Sequence, residues 1–251
     1  MIHKHLLLAI ATAFIATGNA TEQKKFPTKP VGKPTAAANN DSLEVRTLVA
    51  AAKQGNSEAQ NTLGTYFYLG KKVKQNYEVA RKWFSLAAKQ KHVKAIANMG
   101  LCHADSTWKK ATPKKMLEYY EKAAQAADPY AYYLLAQLHH NGSNVVTTDK
   151  NKVVEYYEKA AKADFAPALC ELGNLYFNGK IVNKNITKAI AFYNEALLNG
   201  YLTKEAANNL AACYQQGLGG LKKDPSMANE IAKRGQDTQP YTQLLKNITF
   251  E

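Results

Sequence analysis

Four histidines lie beyond residue 20: His92, His103, His139 and His140. Imidazoles move protons and bind metals near neutral pH, so they are the first residues to weigh. Cys102 directly precedes His103, which makes a mixed thiolate–imidazole metal site the sharpest chemistry on offer. The spacing does not support it, because neither C-x-x-C nor H-E-x-x-H occurs. His103 and His139 instead occupy equivalent positions of a repeated pattern, where other copies carry Phe67, Tyr176 and Tyr214. They are expected to replace core aromatics, and neighbouring repeats offer them to each other as stacking partners. Cys170-Glu171 has no base nearby in sequence for nucleophilic work. No G-x-S-x-G, phosphate-cradling loop or dinucleotide fingerprint is present. Gly217-Leu218-Gly219-Gly220 reads as a loose loop in a lengthened turn rather than a phosphate site. No catalytic residue, metal or cofactor is expected.

Two other groups of residues have the chemistry of binding. Lys71, Lys72, Lys74, Lys109, Lys110, Lys150, Lys152, Lys180, Lys184, Lys222 and Lys223 fall in successive turns, with Lys114 and Lys115 just inside a helix. On a stack of repeats they form a basic edge, suited to an acidic protein, lipid headgroups or polysaccharide. The same lysines also suit a solvated edge that keeps the chain soluble. The second group is Asn61, Thr65, Tyr68, Tyr130, Tyr133, Gln137, His140, Asn174 and Phe177. Tyrosine beside amides with few charges is the composition of a protein or peptide contact surface. About half of these tyrosines are expected to pack between repeats instead, since tyrosine is intermediate in burial.

What positions these residues is a repeat. Leu63-Gly64 recurs as Met99-Gly100, Leu135-Ala136, Leu172-Gly173 and Leu210-Ala211, at spacings of 36, 36, 37 and 38 residues. An alanine stands four residues before each: Ala59, Ala95, Ala131, Ala168 and Ala206. Gly70 recurs as Gly142, Gly179 and Gly217, and the second copy has Ser106 there. Asn76, Thr112, Asp149, Asn185 and Asp224 open the second half of each copy, and all are good helix N-caps. Trp83-Phe84, Tyr119-Tyr120, Tyr156-Tyr157 and Phe192-Tyr193 follow, with Ile231-Ala232 in the fifth copy. Each copy therefore predicts two antiparallel helices joined by a turn. Small residues let the helices approach, and the aromatic fills the space above them. Stacked copies give an all-α, right-handed α/α superhelical solenoid of about five hairpins, near 57–92, 93–128, 129–164, 165–201 and 202–236. Asp41 to Gly55 reads as a half-repeat cap, opened by Asp41 or Ser42, and 240–250 as a short closing helix with Leu244, Leu245 and Ile248 inward.

The ends and the charge bear on location. Residues 1–20 have a short basic start, an apolar run from Leu6 to Ala16 and small residues at Gly18 and Ala20, the layout of a signal peptide. The run is too short to span a bilayer, so a mature chain without a membrane span is expected, exported to the periplasm or beyond the cell. Residues 21–40, rich in lysine and proline, read as a disordered linker. The domain then runs over 41–251. The net charge is +13, but nucleic acid does not suit an exported chain. Cys102, Cys170 and Cys213 have no pair spacing and read as buried small hydrophobes.

The form A-x-x-x-L-G, a glycine-ended helix, a cap and A-x-x-[WYF]-[FY]-x-x-A-A resembles the Sel-one-like repeat family, a relative of tetratricopeptide repeats. The resemblance covers residues 41 to 236. It implies a solenoid adaptor for protein complexes, and its secreted bacterial members imply roles in host interaction or the envelope. A cysteine-rich branch is associated with penicillin binding and β-lactamase activity, and carries a cysteine pair in each repeat that bridges its two helices. This sequence lacks those pairs, so that activity stays an alternative rather than the expectation.

Overall fold

The computed structural model describes residues 43–104, 110 and 112–237. The expected signal peptide, linker, Asp41/Ser42 cap and closing helix at 240–250, with the Ser106 turn position and Lys109, lie outside the described residues. Eleven helices and no strand are found among the described residues. They are α1 (Leu43–Lys53), α2 (Ser57–Leu69), α3 (Tyr77–Lys89), α4 (Val93–Ala104), α5 (Pro113–Gln125) and α6 (Pro129–Asn141). Then come α7 (Lys150–Ala161), α8 (Ala166–Asn178), α9 (Ile186–Leu198), α10 (Lys204–Gln216) and α11 (Pro225–Asp237). α1 is the half-repeat that covers α2; the other ten form the five hairpins α2/α3 to α10/α11.

The local chemistry of each boundary is the one its sequence dictates. The second helix of every hairpin is capped by its predicted residue. The side chains of Asn76, Thr112, Asp149, Asn185 and Asp224 accept from the N–H groups of Val79, Lys115, Lys152, Lys188 and Met227. The cap's own N–H ties back to the first helix: Asn76 to Phe67 O, Asp149 to His139 O, Asn185 to Tyr176 O and Asp224 to Tyr214 O. One residue thus starts a helix and locks the turn. Gly70, Gly179 and Gly217 end their helices in the left-handed region, at φ 67°, 71° and 73°. First helices have caps that the repeat pattern alone did not single out. Asn56, Asp128 and Thr203 accept from the N–H three residues on, and His92 does so through Nδ1. That leaves His92 Nε2 protonated and donating to Glu58, 2.9 Å away.

The hairpins close over the Leu-Gly step. A Cβ at Gly64 would lie 2.6 Å from the Phe84 ring, and at Gly100 or Gly173 2.3 Å from Tyr120 or Tyr193. The ring lies flat against the first helix because that position has no side chain. Beside this ring runs a second stack, also internal to each repeat. His103 stacks on Tyr119 at 5.5 Å, His139 on Tyr156 at 5.8 Å and Tyr176 on Phe192 at 5.8 Å. The histidines are core aromatics as expected. Their ring partners are in their own repeats, since the second helix of the same hairpin is nearer than the next repeat. Burial lowers the affinity of His103 for a proton. The three cysteines are buried, and burial pushes the Cys170 thiol up to about 12. The glycine cluster is a packed turn rather than a loose loop: Gly219 sits against Ile186 and Ile190 of α9, where a side chain would collide.

Candidate functional site

Among like helices of successive hairpins, the closest packing is between first helices, α4 on α6 and α8 on α10. Like helices come closest on the inside of a curved stack, so the first helices form the inner face. The two layers differ in charge. The five first helices carry five charged side chains, and the five second helices carry twenty. No Lys or Arg stands on α6 or α8.

The inner-face residues divide by burial. Tyr130, Thr65 and Gln137 are half-buried and His140 is exposed, so they form the accessible part of the surface. Asn61, Tyr68, Tyr133 and Asn174 are buried, and their expected exposure is corrected here. Each is consumed by packing. Asn61 accepts from Asn98 of the next repeat at 2.9 Å. Tyr68 meets the Tyr77 ring edge-on at 5.3 Å. Tyr133 lies between Tyr157 at 5.7 Å and Phe165 at 5.5 Å. Asn174 joins Tyr193 at 2.9 Å. Phe177, half-buried, lies under the ammonium of Lys184 at 5.8 Å, which places it at the turn edge. That edge holds exposed Lys71, Lys74, Lys110, Lys150, Lys152, Lys180, Lys184, Lys222 and Lys223. Lys72 is different: it pairs with Glu44 and lies over the Tyr66 ring at 5.5 Å, fastening α1 to the first hairpin. Lys150 donates to Lys180 O at 3.3 Å, joining two turns of the edge.

A recurring junction lies beneath the inner face. In the fourth repeat the buried ring of the second helix reaches two residues of the first helices, and the repeat register gives the equivalent positions elsewhere. One is six residues after the repeat's own alanine, and the other is three residues after the alanine of the next repeat. In the fourth repeat these are Asn174 and Asn209. Tyr193 Oη donates to Asn174 Oδ1 at 2.9 Å, and Asn209 Nδ2 donates to both at 3.1 Å. In the second repeat they are Leu101 and Leu134, and the buried Tyr120 hydroxyl has no partner. In the third they are Gln137 and Glu171. Gln137 donates to Tyr133 Oη at 2.9 Å instead, and acts on the fully buried Tyr157 hydroxyl only from beyond ordinary hydrogen-bond distance. Glu171 is half-buried. Burial, then the neighbouring Glu205 carboxylate, push it up to about 7, and a hydrogen bond with Asn174 offsets part of this. Glu171 and Tyr157 were not among the candidates read from sequence. A lone carboxylate on the otherwise uncharged α8, aligned with Asn98 and Asn209, was the available signal.

No group of three or more His, Cys, Asp or Glu able to hold a metal is found among the described residues. No described helix is long and apolar enough to cross a membrane.

Repeated helix hairpins with capped second helices and an aromatic over a small-residue step define an α/α repeat solenoid. The Sel1 repeat model matches residues 57–92, 93–128, 129–165, 166–201 and 204–234, so the chain belongs to the Sel1 repeat family. Members share a scaffold fold that typically mediates protein–protein interaction. Among solved structures, the chain is similar to a Sel1 repeat protein from Oxalobacter formigenes, at 28% identity and TM-score 0.66, over 78% of this chain and 77% of that one. It is also similar to c5321, a protective antigen of uropathogenic Escherichia coli with an SLR fold, at 25% identity and TM-score 0.60. That match covers 78% of this chain and 41% of the antigen, so the chain spans about two fifths of the antigen's length. Immunity protein Pa5087 from Pseudomonas aeruginosa shares the fold at 19% identity and TM-score 0.55, over 82% and 81% of the two chains. No curated protein matches.

Proposed function

We propose that this chain is an exported, non-catalytic adaptor that holds a protein or peptide partner on the inner face of its first helices. The observation that carries this is the division of the stack into two layers. The inner layer is nearly uncharged, with Tyr130, Thr65, Gln137 and His140 accessible, while the outer layer is charged and solvated. A signal-like first twenty residues support export to the periplasm or beyond, and a role in the envelope or in host interaction follows from that location.

The test is affinity capture with the chain, identification by mass spectrometry, and repetition with Tyr130→Ala plus His140→Ala. Loss of the captured partner is expected from a variant that still folds, as its helical circular dichroism checks. Retention of the partner by this variant, with the inner face otherwise intact, would overturn the reading. Hydrolysis of nitrocefin by the purified chain would overturn its non-catalytic part in favour of a β-lactam or peptidoglycan-fragment enzyme.

The basic edge supports a second contact, with an anionic envelope surface. Nine of its lysines are exposed along one side of the stack. Binding to anionic vesicles that fades as salt rises from about 0.05 to 0.5 M is the expected signature. Salt-independent binding, or none, removes it.

A further inference from the structure

We propose that the junction of Tyr157, Gln137 and Glu171, between the third and fourth repeats, is a socket for a basic side chain of the partner, an arginine or a lysine. This rests on reading the inner face as partner-binding, and adds the chemistry of what is bound.

The argument starts from the equivalent junction one repeat on. There an amide, Asn209, donates to both Tyr193 Oη and Asn174 Oδ1, and the buried hydroxyl in turn donates to Asn174 Oδ1. In the third repeat a carboxyl takes the place of that amide. An ionised carboxylate only accepts, so the donor that completes the trio is lost. Gln137 gives its Nε2 to Tyr133 Oη at 2.9 Å, and acts on the buried Tyr157 hydroxyl only from beyond ordinary hydrogen-bond distance. An ionised Glu171 therefore leaves the junction with acceptors in excess. A guanidinium or ammonium supplies several donors and the missing charge together.

Every group facing Glu171 points the same way. α10 brings the carboxylate of Glu205; α6 and α7 bring the phenols of Tyr133 and Tyr157. Its own helix brings Asn174 and the un-ionised Cys170 thiol, and Tyr201 lies near Tyr133 ahead of α10. None of these is a cation, and α6 and α8 hold no Lys or Arg, so a positive charge here comes from outside. Glu171 and Gln137 are only half-buried, which leaves a way in. Because Glu171 titrates at about 7, occupancy rises with pH through neutrality as the carboxylate forms.

The experiment follows the side-chain carboxyl of Glu171 by carbon-13 NMR in the full chain, assigned from the signal that Glu171→Gln removes. Titrations are run with N-ethylguanidinium, with n-butylammonium and with neutral N-butylurea. The expected result is that a cation lowers the Glu171 midpoint and N-butylurea does not. The cation that moves it further names arginine or lysine. Glu171→Gln, isosteric and matched to the amide of the next junction, weakens cation binding about tenfold or more. Tyr157→Phe weakens it about threefold without unfolding the chain. A midpoint moved by neither cation, or cation binding unchanged in Glu171→Gln, overturns the socket. That outcome leaves the adaptor reading standing, because Tyr130→Ala plus His140→Ala tests it at residues outside the socket.

Discussion

Two junctions of this molecule are built to one plan and end in different states. At Tyr193 the hydroxyl, Asn174 and Asn209 satisfy one another, and the fourth and fifth repeats are stitched together. At Tyr157 the same plan holds a glutamine and a glutamate, and the hydroxyl makes no hydrogen bond at ordinary distance. The register is the same, so geometry does not explain the difference. The change is one of donor count: an amide gives two N–H groups and a carboxylate gives none. A third version, Tyr120 between Leu101 and Leu134, shows that a buried tyrosine hydroxyl is tolerated without any polar neighbour at these two positions. The repeat therefore demands the ring and is indifferent to what meets the hydroxyl. That indifference leaves the junction free to be structural in one repeat and a binding site in another.

The comparison can be pressed by experiment, beginning where the loss is greatest. Gly173→Ala places a methyl 2.3 Å from the Tyr193 ring, and is expected to cost about 3 kcal/mol in urea unfolding by breaking the closed junction. A cost under about 0.5 kcal/mol would mean that the ring is free to shift and the junction is not rigid. Glu171→Gln is next. The folded value of about 7 lies above the ordinary 4.5, so the contribution of Glu171 is complete below pH 4.5 and is lost as pH rises through 7. The variant should be more stable than the parent at pH 8, by on the order of 2 kcal/mol, and equal to it near pH 4. Parallel stability curves across that range would show that Glu171 is not a buried carboxyl. Tyr193→Phe removes a satisfied hydroxyl and should cost about 1 kcal/mol. Tyr157→Phe removes one with no hydrogen bond at ordinary distance and should change stability by less than about 0.5 kcal/mol. Equal costs for the two phenylalanine variants would erase the distinction between the junctions.

Much of this was legible in the chain. The Leu-Gly step, the five second-helix caps and the paired aromatics are local features repeated in register, and the structure uses each as its spacing predicts. Repetition makes them readable, because a packing rule that works once must be obeyed at each copy. The inner-face candidates were less legible. Tyr68 and Tyr130 carry the same residue type on first helices, yet one is buried beneath its own hairpin and the other is half-exposed. Residue type does not settle which, since a tyrosine is stable in either setting.

Glu171 marks the boundary most clearly. The sequence alone determines that α8 carries a single charge and that it falls three residues after a repeat alanine. It determines five hairpins, their caps and the rings that close them, because those rest on contacts within about 40 residues. Only the tertiary structure decides that Glu171 faces Tyr157 from the repeat before and Glu205 from the repeat after. Those neighbours are brought together by the stacking of whole hairpins, and a carboxyl takes its charge state from everything around it rather than from its neighbours in the chain.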